Sequence, residues 1–204
     1  QSAIAGLEIT SGDEVITTNV TAFPTITGIF QAGATPVVVD ITTEDGLIGY
    51  NQIEAKITPK TKAIMPVHLY GQCCDLDRLK ELASKYDLNL IEDVAQAAGS
   101  VYKEAKAGSY GVCNAFSFYP TKNLGAFGDA GAITTNDETL YKRLLSLRNY
   151  GQTTRYLHEE SGINSRLDEI QAAILRVKLN YLDSWNNQRR VIANNYTQNL
   201  VGVG

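Results

Sequence analysis

An α/β fold, with a mostly parallel central sheet flanked by helices, is predicted by three features of the sequence. Short β-branched apolar runs recur along it, helix-period segments lie between several of them, and the last third changes to helical periodicity. The runs are Val15–Thr18, Pro36–Val39, Ala63–Val67, Leu88–Ile91, Ala115–Phe118 and Ala132–Thr134, each bounded by Gly, Pro, Asp or Asn and so read as buried strands. Leu76, Leu79, Leu82 and Ala83 step at helical spacing towards Tyr86, as a crossover between parallel strands requires. After Asn136, Leu140, Leu144 and Leu147 mark one helix, and Leu167, Ile170, Ile174, Val177 and Tyr181 mark a second, longer one. Asn136 and Asp137, and then Ser165 to Asp168, supply their N-caps or acidic first turns.

With 204 residues, 44% hydrophobic and 20% charged, the chain can bury a substantial core. A net charge of -4 without a basic cluster argues against a nucleic-acid partner. Strand-length apolar stretches and the lack of a basic, apolar leader point away from a membrane and towards a cytoplasmic protein. The three cysteines, Cys73 and Cys74 adjacent, form neither a disulfide framework nor a Cys-x-x-Cys site. His68 and His158 lack clustered carboxylates, so no metal is expected.

Three strand ends carry the candidate chemistry. In Asn114–Gly131 a strand ends at a proline and delivers Lys122 into a loop with glycines at 125, 128 and 131. A lysine set in a cleft condenses with aldehydes; in isolation such a lysine is far more often a solvated surface charge. The Gly spacing is neither a dinucleotide fingerprint nor a Walker loop, and serves a tight turn. In Leu90–Ala98 a strand ends in Glu92 and Asp93. A carboxylate there either caps the next turn of the chain or keeps a cofactor's pyridine nitrogen protonated. In Met65–Gln72, His68 and Tyr70 lie just beyond a third strand, and His68 is either a satisfied structural residue or a catalytic group facing the cleft.

With these segments, the sequence resembles the DegT/DnrJ/EryC1/StrS family of sugar aminotransferases, which have the aspartate-aminotransferase (type I pyridoxal-phosphate) fold. Matching segments include Gly12–Val15, Gly33–Val37, Pro66–Gly71, Ile91–Ala97, Ser117–Gly125, Leu147–Gly151 and Asn164–Ala172. The resemblance implies pyridoxal 5'-phosphate (PLP) as cofactor, Lys122 as its Schiff-base lysine and Asp93 as partner of its pyridinium. It places Gln96 on the 3-hydroxyl, Ala95 on the ring face and Ser117 on the phosphate, with Asn164 reaching the same phosphate from the neighbouring subunit of a homodimer. The implied reaction moves an amino group from an amino acid, glutamate in relatives, to a nucleotide-linked keto sugar. The alternative is a PLP-binding member without turnover, regulatory or dehydratase-like, although the dehydratase branch replaces the lysine by histidine.

By the same resemblance, residues 1–180 form the PLP-binding large domain and 181–204 a helix connecting to a small C-terminal domain, so that the fold looks truncated at both ends. The family's Gly-Thr-x-Ala-Leu phosphate-binding helix start would fall immediately before Gln1. Many relatives stack an aromatic residue on the pyridine ring where this sequence has Ala22, with Phe23 next to it.

Overall fold

The computed structural model describes residues 1–202. It begins with the short helix α1 (Ser2–Gly6), and continues with β1 (Glu14–Thr18), α2 (Phe23–Gln31), β2 (Thr35–Val39), α3 (Tyr50–Ile53), β3 (Thr61–Met65), α4 (Leu76–Lys85) and β4 (Asn89–Asp93). A small hairpin, β5 (Val101–Tyr102) and β6 (Ala105–Lys106), leads to β7 (Cys113–Ser117) and β8 (Gly131–Thr134). Then come α5 (Glu138–Leu147), the hairpin β9 (Gln152–Thr154) and β10 (Leu157–His158), α6 (Glu169–Leu179) and α7 (Leu182–Asn199).

One sheet of order β2-β1-β3-β4-β7-β8 organises the molecule, parallel except where β8 runs antiparallel to β7. The two-residue period of a strand sorts its side chains into two cores. Val15, Ala63, Ile91 and Cys113 pack with α1 and α5 on one face. Ile16, Ile64 and Leu90 pack with Leu76, Leu79 and Ala83 of α4 on the other. Ile16, Ile64 and Ile91 are fully buried, each contributing about 1.5–3 kcal/mol of apolar transfer. Asp75 caps α4 by accepting from Arg78 N (3.2 Å), and Asp137 caps α5 by accepting from Leu140 N (2.9 Å). Such caps contribute about 1 kcal/mol each. This is the α/β, mostly parallel architecture expected from the strand runs, and parallel strands set all their carboxyl ends along one edge.

The C-terminal helical region departs from expectation. Instead of one helix running through Tyr181, the chain breaks between α6 and α7. Asn180 N and Tyr181 N bond three residues back, to Val177 O and Lys178 O, which tightens and ends the helix. The buried face differs too. Leu175 and Leu182 pack with Ala98, Leu124 and Ala126, whereas Ile170, Val177 and Tyr181 are exposed.

Candidate active site

Asp93 closes β4, opposite Ala115 of the parallel β7. Its Oδ1 accepts from Ala95 N (3.1 Å), so the local cap-like turn is present. Its Oδ2 accepts from Thr25 Oγ1 (2.8 Å), which is itself 2.7 Å from Thr21 Oγ1. Thr25 is buried in the first turn of α2, where Pro24 presets the helical backbone. The half-buried carboxylate is therefore aimed by two different segments, and each oxygen keeps a lone pair for a further donor. Sequence reasoning missed Thr25: its four-residue spacing from Thr21 was visible, but nothing linked it to Asp93.

Ser117 ends β7 two residues beyond the position that pairs with Asp93, which puts their Cα atoms about 8 Å apart across neighbouring strands. The chain then turns. Lys122 N bonds Tyr119 O (2.8 Å) and Ala126 N bonds Phe118 O (2.7 Å), so Tyr119–Gly125 forms a compact loop over the strand end. Gly125 is required there, because a Cβ at that position would lie 2.4 Å from Pro120 O. Lys122 is half-buried, and no carboxylate pairs with its amine among the described residues.

Gln96 lies in the loop after β4, its Oε1 accepting from Tyr70 N (2.8 Å), while Ala95 beside it is half-buried. Asn164 lies elsewhere in this chain, exposed in the segment between β10 and α6. It bridges to Asn149 and accepts from Arg166 Nε (3.0 Å). Ala22 and Phe23, at the start of α2, are both exposed, Phe23 by 74%.

His68, which the sequence offers as either a structural residue or a catalytic group and so as a catalytic candidate, requires a correction: it is completely buried, with Nε2 2.9 Å from Glu92 Oε2 and Nδ1 accepting from Cys74 N (3.1 Å). Both ring nitrogens are used inside the protein, so His68 has no free polar atom for a substrate. Glu92 also accepts from Gly108 N, Tyr110 N and Gly111 N at 2.7–2.8 Å. Burial pushes its carboxyl up, but the hydrogen bonds outweigh burial and hold it below the ordinary carboxylate range.

Burial pushes the Cys74 thiol up to about 12 and the Cys113 thiol up to about 11, which suits structural rather than nucleophilic cysteines. No group of His, Cys, Asp and Glu able to hold a metal exists among the described residues, and no helix there is long and apolar enough to cross a membrane.

The architecture is that of the aminotransferase fold. Against DesV of S. venezuelae, solved in complex with a ketimine intermediate, it reaches a TM-score of 0.96 at 46% identity, covering 100% of this chain and 55% of that one. NtdA of Bacillus subtilis, solved with bound cofactor PMP (pyridoxamine phosphate), matches with a TM-score of 0.93 at 34% identity, over 98% of this chain and 46% of that one. PMP is the aminated form of pyridoxal phosphate, with which another neighbour, Spr1654 of Streptococcus pneumoniae, is solved.

The model of the DegT/DnrJ/EryC1/StrS aminotransferase family matches residues 1–204, and the chain belongs to that family. The dTDP-3-amino-3,4,6-trideoxy-alpha-D-glucose transaminase of Streptomyces venezuelae is 47% identical over 203 residues, 100% of this chain and 54% of that protein. The chain thus spans about half the length of the curated relatives it matches.

Proposed function

We propose that the protein carrying this chain is a PLP-dependent aminotransferase that moves an amino group from an amino acid, glutamate, to the keto carbon of a nucleotide-linked sugar. The observation that carries this reading is the meeting of two neighbouring strand ends. One presents Asp93, already aimed by Thr25 and Ala95, and the other presents Ser117 and Lys122, whose amine has no carboxylate partner among the described residues. These residues fit the cofactor: a fixed carboxylate for a ring nitrogen, a hydroxyl on the neighbouring strand end with Cα atoms about 8 Å apart for a phosphate, and an amine without a carboxylate partner among the described residues.

When bound, PLP supplies a protonated pyridine ring that acts as an electron sink. Asp93 keeps that ring nitrogen protonated. The Lys122 amine would hold the cofactor covalently and, when free, its Nζ could accept and return a proton beside it. The Gln96 carboxamide would meet the 3-hydroxyl, Ala95 would pack on the ring face, and the Ser117 hydroxyl would bind phosphate, with Asn164 of the partner subunit completing that site in a homodimer. Residues 1–180 form the cofactor-binding domain, residues 181–204 connect onward, and the enzyme works in the cytoplasm.

The reading is tested on the complete protein. Incubation with glutamate and a panel of nucleotide-linked keto sugars is expected to add an amino group to one of them by mass, and Lys122→Ala to abolish both that product and the visible cofactor band. A persistent band with turnover intact in Lys122→Ala would refute the assignment.

A further inference from the structure

Glu92 and His68 lie beneath the site, both fully buried. Because His68 Nδ1 accepts the Cys74 amide proton, the ring carries its own proton on Nε2 and donates it to Glu92. The same carboxylate gathers the amides of Gly108, Tyr110 and Gly111, which lead into β7. One buried anion thus ties the segment after β3 to the segment before β7.

Between His68 and Cys74 sits a single tight turn, Leu69–Gly71. It is held by Gly71 N to His68 O (3.3 Å) and by Ser100 Oγ donating to Gly71 O (2.7 Å). Tyr70 has φ +54°, left-handed and unfavourable for a residue with a Cβ, and its side chain is 89% exposed. Packing of the Tyr70 ring does not explain the strain. The product of this conformation is a backbone N–H pointed at Gln96 Oε1 (2.8 Å). With its oxygen occupied, the carboxamide is left with its NH2 group free, and that group meets no acceptor among the described residues.

On the reading that Gln96 faces the 3-hydroxyl of PLP, we propose that the Glu92–His68 pair and the strained turn it anchors are positioning elements that lock the Gln96 carboxamide with its N–H donors towards the cofactor oxygen. Orientation decides the sign of the interaction. An N–H stabilises a deprotonated ring oxygen, whereas a flipped amide would set a lone pair against it. A weakened lock therefore raises the pH at which the visible band of the lysine-bound cofactor titrates.

The experiment is a pH titration of that band in the PLP-loaded complete protein, with PLP dissociation measured alongside. His68→Leu removes both ring hydrogen bonds and is expected to move the midpoint up by about one unit, with roughly tenfold weaker PLP binding. His68→Gln, whose amide N–H can still reach Glu92, is expected to recover most of the shift. Ser100→Ala leaves the buried pair intact, loosens only the turn and is expected to shift the midpoint the same way by about half as much.

An unchanged titration in folded His68→Leu overturns the proposal, as does an unchanged titration in Ser100→Ala should His68→Leu not fold. A shift in His68→Gln as large as in His68→Leu also overturns it, since the bond to Glu92 would then be irrelevant. Absence of any visible band in the wild type refutes the cofactor assignment to Lys122 instead, so the two failures are distinguishable.

Discussion

Glu92→Gln changes almost no volume but replaces one of two fully used oxygens by a donor group. Oε1 accepts from Tyr110 N and Gly111 N, and Oε2 accepts from Gly108 N and His68 Nε2. Whichever way the new amide settles, two buried donors face an NH2 and lose their acceptor, at about 1–3 kcal/mol each. Removing a buried charge gives part of that back, so the net loss is about 2–4 kcal/mol, a large share of a typical stability of about 5–15 kcal/mol. The sign with pH is fixed by the direction of the shift. A carboxyl held below its ordinary 4.5 stabilises the fold fully above that pH and loses its contribution as the pH falls through the lowered value. Urea unfolding at neutral pH is therefore expected to show the full deficit of the variant, and unfolding well below pH 4.5 a smaller one. A deficit under about 0.5 kcal/mol at neutral pH, or one that does not shrink in acid, would refute the view of Glu92 as a buried anionic hub.

Three further expectations concern the site and its surroundings. Thr25→Val removes a hydroxyl donor to Asp93 and is expected to weaken PLP binding by roughly tenfold, measured by equilibrium dialysis, while Thr25→Ser retains it; equal affinity in the valine variant would deny Thr25 its orienting role. Gly125→Ala must displace the Pro120 carbonyl from 2.4 Å and is expected to cost at least about 2 kcal/mol while disturbing the loop that carries Lys122; a variant of wild-type stability and spectrum would contradict this. Burial raises the thiols of Cys74 and Cys113 to about 12 and about 11, so native protein is expected to leave both unlabelled by iodoacetamide at neutral pH, and rapid labelling by mass would show the pocket to be open.

The apolar runs made the sheet legible, because its inner parallel strands, covered on both faces, leave little room for polar residues. α4 and α5 were equally legible from their leucine spacing, and α5 also from its Asp137 cap. The end of α6 was legible only to within two residues, since the apolar spacing runs on to Tyr181 whereas the helix stops at Leu179. Strand-end position likewise marked Asp93 and His68 as candidates, while Ser117 was marked only by the family resemblance. It did not reveal on which side of the backbone each side chain stands.

That last ambiguity has a physical root in the pair Glu92–Asp93. Adjacent strand residues point to opposite faces, so one carboxylate had to go under the sheet edge and the other towards its open end, and the pattern is the same either way. What distinguishes them is the supply of donors. Three amides around Gly108–Gly111 and the His68 ring converge on Glu92, enough to keep a carboxylate charged without solvent, whereas Asp93 receives only two and keeps lone pairs to spare. The glycine at 111 is part of that outcome, since a Cβ there would come within 2.7 Å of Leu90 O and 2.3 Å of Asn114 Oδ1, closing the space in which its amide meets Glu92. A buried anion saturated with hydrogen bonds makes a floor, and one left half-used beside it makes a binding group. Two neighbouring residues of the same chemistry thus divide structure from function according to how many N–H groups the surrounding chain brings to each.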